Sequence, residues 1–309
     1  MQLTPKQIKL FLALVESQSV TAAARACHVT QPTASMQLRT IAELVGLPLY
    51  EISGRQFRLT DAGEALAATL LRVERAWEGF QQSVAELRGL ERGRLRVAVV
   101  STAKYFVPQF LADFCRDHPQ INVALEVQNR DGVVSRLRRH QDDLYVMSHP
   151  PEDLTLTTHA LMPNKLLLVA PKGHRLAGNQ RLKWSQLRGE KFIVREPGSG
   201  TRWAMEQAFA RVRFAPAAPM VLGSNEAIRG AVSGGMGLAV LSEHALPGGP
   251  ELHGLVQLAA PGFPIPAQWF AVYPAQQSLA PVARAFLEHI LRLGRSTQVT
   301  QARGAASDQ

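Results

Sequence analysis

Two cysteines in 309 residues, Cys27 and Cys115, leave no room for a disulfide framework. They lie far apart in sequence, and neither belongs to a CxxC pair or a Cys/His cluster of zinc-binding spacing, so no metal is expected and a reducing compartment is. Long apolar runs are missing too: nothing approaches the roughly 20 residues that cross a bilayer. The opening MQLTPKQIKLFLALVESQ interleaves Lys, Gln and Glu with its apolar residues, unlike a secretory signal. A cytoplasmic chain without a membrane partner is expected. Negative charge is in short supply, with 25 Asp and Glu against 34 Lys and Arg, a formal net charge of +9 and a pI near 10.1. That excess suits nucleic acid, a membrane surface or plain solubility without choosing among them. Catalytic signatures are absent as well. GSGTR lacks the GxxxxGK[ST] frame, GGMGLA is not a GxGxxG following a strand, and neither HExxH nor GxSxG occurs. No paired carboxylates fall where periodicity would bring them into one cleft, so the chain does not read as an enzyme.

What is present is enough apolar material, 46% of the residues, for an α/β core and a second, smaller domain. Thr4 as N-cap and Pro5 at the first helical position open a helix with Ile8, Phe11, Leu12 and Val15 on one face, ending near Ser17. Ser19 caps a short helix from Val20 to Cys27, whose alanines (Ala22, Ala23, Ala24, Ala26) let another helix approach closely. Thr30 caps a third, with Pro32 in its first turn, Ala34, Leu38, Ile41 and Val45 inward, and Gly46 as its stop. LPLYEISGRQFRLT then reads as a hairpin, Leu49–Ile52 and Gln56–Leu59, turning at Ser53-Gly54. Three helices and a wing make a winged helix-turn-helix. From Thr60 a long helix carries Leu66, Leu70, Val73, Trp77, Phe80, Val84 and Leu87 at alternating spacings of four and three. That period of about 3.5 predicts a coiled-coil dimer seam; a helix docked on its own C-terminal domain is the alternative.

Gly89–Gly93 ends this helix, and the texture changes from helical to alternating. Strands are expected at 95–100, 121–129, 143–149, 165–171, 191–196, 220–224, 237–242 and 269–274, mostly separated by helices, which predicts a parallel, two-lobed α/β domain. Beyond Arg295 the chain is small and polar and reads as a disordered tail, 296–309.

The segments AAARACHVTQPTASMQLR and GLPLYE, and RLTDAG leading into a long helix, resemble the LysR-type transcriptional regulators over the whole chain. Within that family STAKYFVPQFL, EVQNRD, MSHPPED, REPGSGTR and SNEAIRGAV resemble regulators of Calvin-cycle (ribulose bisphosphate carboxylase) operons. The resemblance implies a winged helix over 1–59, a linker helix over 60–89 and a periplasmic-binding-protein-like effector domain over 90–295. Lobe I of that domain would cover about 90–162 and 266–295 and lobe II about 163–265, joined by two crossing segments. It also implies a homo-oligomer, a dimer of dimers, on an interrupted dyad in promoter DNA, repressing or activating through contacts with RNA polymerase. The implied effectors are phosphorylated or nucleotide metabolites: NADPH, ribulose bisphosphate, phosphoenolpyruvate or ATP. One departure is Ile52, where many members carry Arg after the Leu-Phe-Glu run.

A recognition helix presents short polar side chains near its N-terminus, where they reach base edges while free N–H groups meet phosphate. Gln31, Pro32, Thr33 and Ser35 fit that need, with Arg39 two turns along, Thr21 as a phosphate contact from helix two, and Arg55 and Arg58 on the wing. In an α/β sheet, ligands gather beyond the carboxyl ends of strands. Ser101, Thr102 and Lys104, then Glu196, Gly198, Ser199, Gly200, Thr201 and Arg202, then Ser224 and Asn225 stand at three such ends, and Asn129 and His149 are added as cleft residues. Ordinary helix capping accounts for the hydroxyls equally well. Regulation of another metabolic operon (sulfur, nitrogen or aromatic catabolism), an architectural DNA-binding protein and a metabolite-binding enzyme with a helical appendage are the alternatives.

Overall fold

The computed structural model describes residues 2–53, 56–87, 93–179, 182–216 and 219–307. They divide into two compact units, the first on residues up to 84 and the second on most of the remainder.

In the first unit, α1 (Pro5–Ser17) starts in a full capping box, the Thr4 hydroxyl accepting from the Gln7 backbone N–H while Gln7 Oε1 accepts from the Thr4 N–H. Its buried row is Leu10, Phe11 and Leu14. Ile8, Leu12 and Val15, expected inward, flank that row half-buried, because the helix carries two adjacent apolar rows and the alanines of α2 (Val20–Ala26) meet the other one. His28 takes a left-handed turn, φ 55°, into α3 (Gln31–Val45), which stops at Gly46, φ 80°. Strands β1 (Tyr50–Ser53) and β2 (Gln56–Leu59) pair antiparallel, with Tyr50 and Phe57 stacked at 5.6 Å.

Helix α4 (Asp61–Leu87) follows Thr60, whose hydroxyl donates to the Pro48 carbonyl and accepts from the Gly63 N–H. The expected seam along α4 divides. Leu66 and Leu70 are buried in the core of the first unit together with Phe11, Leu38 and Leu49, whereas Val73, Trp77 and Phe80 are each more than half exposed. Val84 is half-buried, and the side chain of Leu87 lies outside the described residues.

The second unit is built on β3 (Gly93–Val100), α5 (Val107–Asp117), β4 (Ile121–Gln128), α6 (Arg130–Arg138), β5 (Leu144–Met147), β6 (Leu156–Pro171), α7 (Trp184–Leu187), β7 (Phe192–Arg195), α8 (Gly200–Arg211), β8 (Met220–Leu222), α9 (Asn225–Ser233), β9 (Leu238–Ser242), β10 (Leu255–Gln257), β11 (Ile265–Pro274) and α10 (Pro281–Ser307). Nine strands form one sheet in the order β4-β3-β5-β11-β6-β9-β7-β8, with β10 also on β6.

Only the outer groups are parallel. β3 pairs β4 and β5, and β7 pairs β8 and β9, in parallel, but β6 and β11 run antiparallel to each other and to their neighbours. The expected all-parallel sheet is therefore mixed. Strand β6 begins at Leu156 rather than Lys165, and β11 at Ile265 rather than Trp269, since Pro163 and Pro266 read as breakers while pairing continues on both sides of them. β10 is too short for periodicity to reveal.

Alternation along β6 sends Leu166, Leu168 and Ala170 into one apolar cluster and Leu167 and Val169 into another on the opposite face. A third cluster joins β3, β5, α5, β11 and α10. Helix α10 continues to Ser307 where a disordered tail was expected; the segment lacks proline and is rich in Ala, Gln and Arg, which propagate a helix. No helix among the described residues is long and apolar enough to cross a membrane.

Candidate nucleic-acid interface and ligand cleft

The start of α3 is exposed and polar. Gln31 and Pro32 face solvent, Gln31 Nε2 reaching Ser35 Oγ at 3.2 Å one turn on. Thr33 is half-buried, with its hydroxyl 2.8 Å from that of the capping Thr30, which leaves its methyl group outward. Thr21, Arg39 and Arg58 are exposed, Arg58 opposite Glu51 in the hairpin, and Arg55 lies outside the described residues. Since the one described side-chain contact of Gln31 is an exposed bond, Gln31→Ala is expected to leave folding unchanged. A bidentate base contact contributes about 1–3 kcal/mol, so operator affinity should fall roughly tenfold and discrimination at one base pair should relax. A mobility-shift series over single-base operator variants measures this; unchanged selectivity would remove Gln31 from base readout.

In the second unit a cleft of about 400 Å³ lies where β3, β6 and β11 meet the start of α8. It gathers six of the expected residues: Ser101, Thr102, His149, Ser199, Gly200 and Thr201. The opposite wall was not foreseen. It consists of Arg130, Ser148, Asn164 and Trp269, with Val100, Met147 and Leu166 supplying apolar surface. Ser199 caps α8, so the free N–H groups of that helix's first turn and its positive end sit at the cleft.

Behind the hydroxyls lies Arg195, 2% exposed. Its guanidinium forms a two-point pair with Glu196 at 2.7 and 2.9 Å, donates to Asn225 Oδ1 at 2.8 Å and to Ser101 Oγ at 3.0 Å. Asn225 in turn donates to Thr102 Oγ1 at 3.3 Å. A buried charge at a strand's carboxyl end requires partners, and the Arg in FIVRE was the available sign of this network. Glu196 and Asn225 thus stand one layer behind the cleft.

Other expected residues serve local structure. Asn129 Oδ1 accepts from the Gly132 N–H at the start of α6, the Gly198 carbonyl accepts from the Asp131 N–H, Ser224 caps α9, and Arg202 pairs with Glu206 at 2.7 Å. Lys104 turns to Glu226, 2.9 Å away. Burial opposes ionisation of Glu226, but the Tyr105 hydroxyl and the Lys104 ammonium outweigh it and bring its pKa down to about 2. Among the described residues no group of three His, Cys, Asp or Glu could hold a metal ion.

His149 packs on Trp203 with ring centroids 4.7 Å apart, and burial, reinforced by the Arg130 charge, pushes its pKa down to about 4. In the unfolded chain the ring would take up a proton near its ordinary value of about 6.5. The unfolded state therefore binds more protons between about pH 6.5 and 4, and this group's contribution to stability, complete above that window, is lost as pH falls through it. The expected result is a ring resonance titrating near pH 4 by NMR. A midpoint near 6.5 would mean a solvated imidazole.

A winged three-helix unit with an exposed polar recognition helix, on one chain with a mixed-sheet domain that holds a ligand cleft, defines a DNA-binding regulator with a small-molecule effector domain. Residues 5–64 match the bacterial regulatory helix-turn-helix proteins of the lysR family, and residues 88–295 match the LysR substrate binding domain. The chain belongs to the LysR family of transcriptional regulators. It is 40% identical over 287 residues to the RuBisCO operon transcriptional regulator of Acidithiobacillus ferrooxidans, covering 93% of each chain. Its second unit is similar to the Synechocystis CcmR regulatory domain in complex with 2-PG, at 38% identity and a TM-score of 0.64, covering 66% of this chain and 98% of that one. The fold is also that of full-length CbnR in complex with its target DNA, with a TM-score of 0.62 at 22% identity over 94% and 99% of the two chains. The curated relatives are named as transcriptional regulators, not enzymes.

Proposed function

We propose that this protein acts in the cytoplasm on the promoters of carbon-fixation genes and reads a small anionic metabolite in the cleft formed by β3, β6, β11 and α8. The observation that carries this reading is the cleft itself. Hydroxyls, a helix N-terminus and Arg130 converge there, in a domain 38% identical to one that is in complex with 2-PG. At about 400 Å³ it lies at the small end of ligand sites. That favours an anion of a few carbons, 2-PG or phosphoenolpyruvate, over NADPH or ATP, with ribulose bisphosphate between them.

Gln31, Pro32, Thr33, Ser35 and Arg39, supported by Thr21 and the wing, read the operator. The exposed Val73, Trp77 and Phe80 of α4 join two copies, and dimers pair into a tetramer on an interrupted dyad. Residues 1–59, 60–89 and 90–295 then act as DNA-binding, linking and sensing parts. Effector binding shifts the dimers, the DNA bend changes, and contacts for RNA polymerase are exposed or withdrawn.

The test is a footprint on the intergenic DNA beside the gene, with and without 2-PG, phosphoenolpyruvate, ribulose bisphosphate, NADPH and ATP at fixed salt. A protected dyad whose extent or bend responds to one of them supports the reading. A dyad beside carbon-fixation genes that ignores all five discards the effectors. A dyad beside sulfur, nitrogen or aromatic-catabolism genes discards the target.

A further inference from the structure

The hydroxyls of the cleft are held in one direction. Ser101 Oγ accepts from Arg195 Nη2 at 3.0 Å, Thr102 Oγ1 from Asn225 Nδ2 at 3.3 Å, and Ser148 Oγ from Asn164 Nδ2 at 2.9 Å. A hydroxyl has one proton and two lone pairs, so when a donor-only N–H occupies a lone pair from behind, the proton is left to be donated forward. Among the described residues none of the three protons meets an acceptor, and all three side chains line the cleft.

The amides behind them are themselves oriented. Asn225 Oδ1 accepts from the Arg195 guanidinium, which can only donate. Asn164 Oδ1 accepts from Ser242 Oγ at 2.7 Å, and that oxygen takes the His244 N–H at 3.2 Å. Trp269 adds an independent sign: the residue is 1% exposed, lines the same cleft, and its indole Nε1–H, a donor and nothing else, is buried with no partner among the described residues. No carboxylate lines the cleft to take a proton from a ligand.

We propose that the inner cleft is a donor-only receptor for an oxyanion group that carries no proton of its own, of the carboxylate, sulfate or phosphate-monoester dianion kind. The Trp269 indole N–H and the hydroxyls of Ser101, Thr102 and Ser148 are the contacting donors. Arg195, Asn225 and Asn164 are positioning residues that set the direction of those hydroxyls. The inference rests on the reading of this cleft as the effector site and adds to it the protonation state of the group that enters. An oxyanion bearing a P–OH would bring a proton against a proton and leave buried donors unpaired, which is where hydrogen-bonded sites discriminate most.

Sulfate and inorganic phosphate test this on the full chain, because near neutral pH sulfate has no proton whereas both forms of phosphate keep a P–OH. Titration calorimetry at constant ionic strength should find sulfate bound at least about tenfold more tightly. Trp269→Phe keeps an aromatic ring and loses the N–H, and sulfate binding should weaken about tenfold. Asn225→Asp keeps the pairing with Arg195 but turns an acceptor toward Thr102, whose proton then points inward and whose lone pair faces the cleft. Its extra charge weakens both ions, yet the sulfate-to-phosphate ratio should fall severalfold, which a merely structural loss would not produce. Should Asn225→Asp fail to fold, the wild-type ratio and Trp269→Phe still decide.

Phosphate bound as tightly as sulfate would overturn the proposal, pointing to an acceptor such as the buried His149 Nδ1. Neither ion binding, no effect of Trp269→Phe, or an unchanged ratio in a folded Asn225→Asp would overturn it as well. The effector-site reading fails separately, if none of the five metabolites binds or alters the footprint while the two ions still discriminate.

Discussion

Gly63→Ala is expected to abolish operator binding and to destabilise the N-terminal unit by about 3 kcal/mol or more. A Cβ on Gly63 would lie 1.8 Å from the Leu49 carbonyl oxygen and 2.9 Å from its carbon. These are backbone atoms of a residue 1% exposed, and the same oxygen accepts the Thr60 N–H at 3.2 Å. No flexible side chain can swing away, so the start of α4 must back off from the residues leading into the wing, breaking the Thr60 cap and drawing Leu66 from the core. In an open helix the same change would stabilise by about 1 kcal/mol, so the sign of the effect distinguishes the two situations. Thermal unfolding and a mobility shift on the operator measure it. A variant that melts and binds like the wild type would mean that the Leu49–Thr60 segment yields at little cost.

Arg195→Ala should be the most damaging single change in the second unit. It strands Glu196, Asn225 and Ser101 together, and breaking a buried pair by removing one partner costs about 3–5 kcal/mol. Arg195→Lys keeps the charge, but a single ammonium cannot reach a carboxylate, an amide and a hydroxyl arranged around a planar fork, so an intermediate loss is expected. Urea unfolding reads the stability, and titration of Arg195→Lys with 2-PG reads the cleft, where binding should weaken by about tenfold or more. Wild-type stability in Arg195→Ala would mean that water fills the vacated space and satisfies all three groups.

Both predictions concern contacts between residues remote in the chain, and there the sequence was least informative. The helix starts were readable because a cap is a bond across one turn: Thr4 to Gln7, Ser19 to Ala22 and Thr30 to Thr33 each need only a hydroxyl three residues before an N–H. The hairpin strands were readable within a residue for the same local reason. One wall of the cleft was readable too, since Ser101, Thr102 and Ser199–Thr201 stand at strand-to-helix turns, where ligands collect. The other wall was not, because Ser148, Asn164 and Trp269 meet through the register of β5, β6 and β11, and prolines concealed where the last two strands begin.

The heptad along α4 makes the same point in reverse. Leu66, Leu70, Val73, Trp77 and Phe80 share one spacing, yet the first two close a core and the last three face outward, because spacing selects a face of a helix and the surroundings alone select what covers it.

The sequence by itself determined the family, the winged helix with its caps and turns, and the strand ends able to hold an anion, all of which follow from side chains acting within a few residues. Only the tertiary structure decided that Arg195 reaches Ser101 across 94 residues of chain. It also decided that the sheet is mixed and that Trp269 completes the cleft, because strand register and burial depend on how the whole domain packs and leave no mark in local spacing.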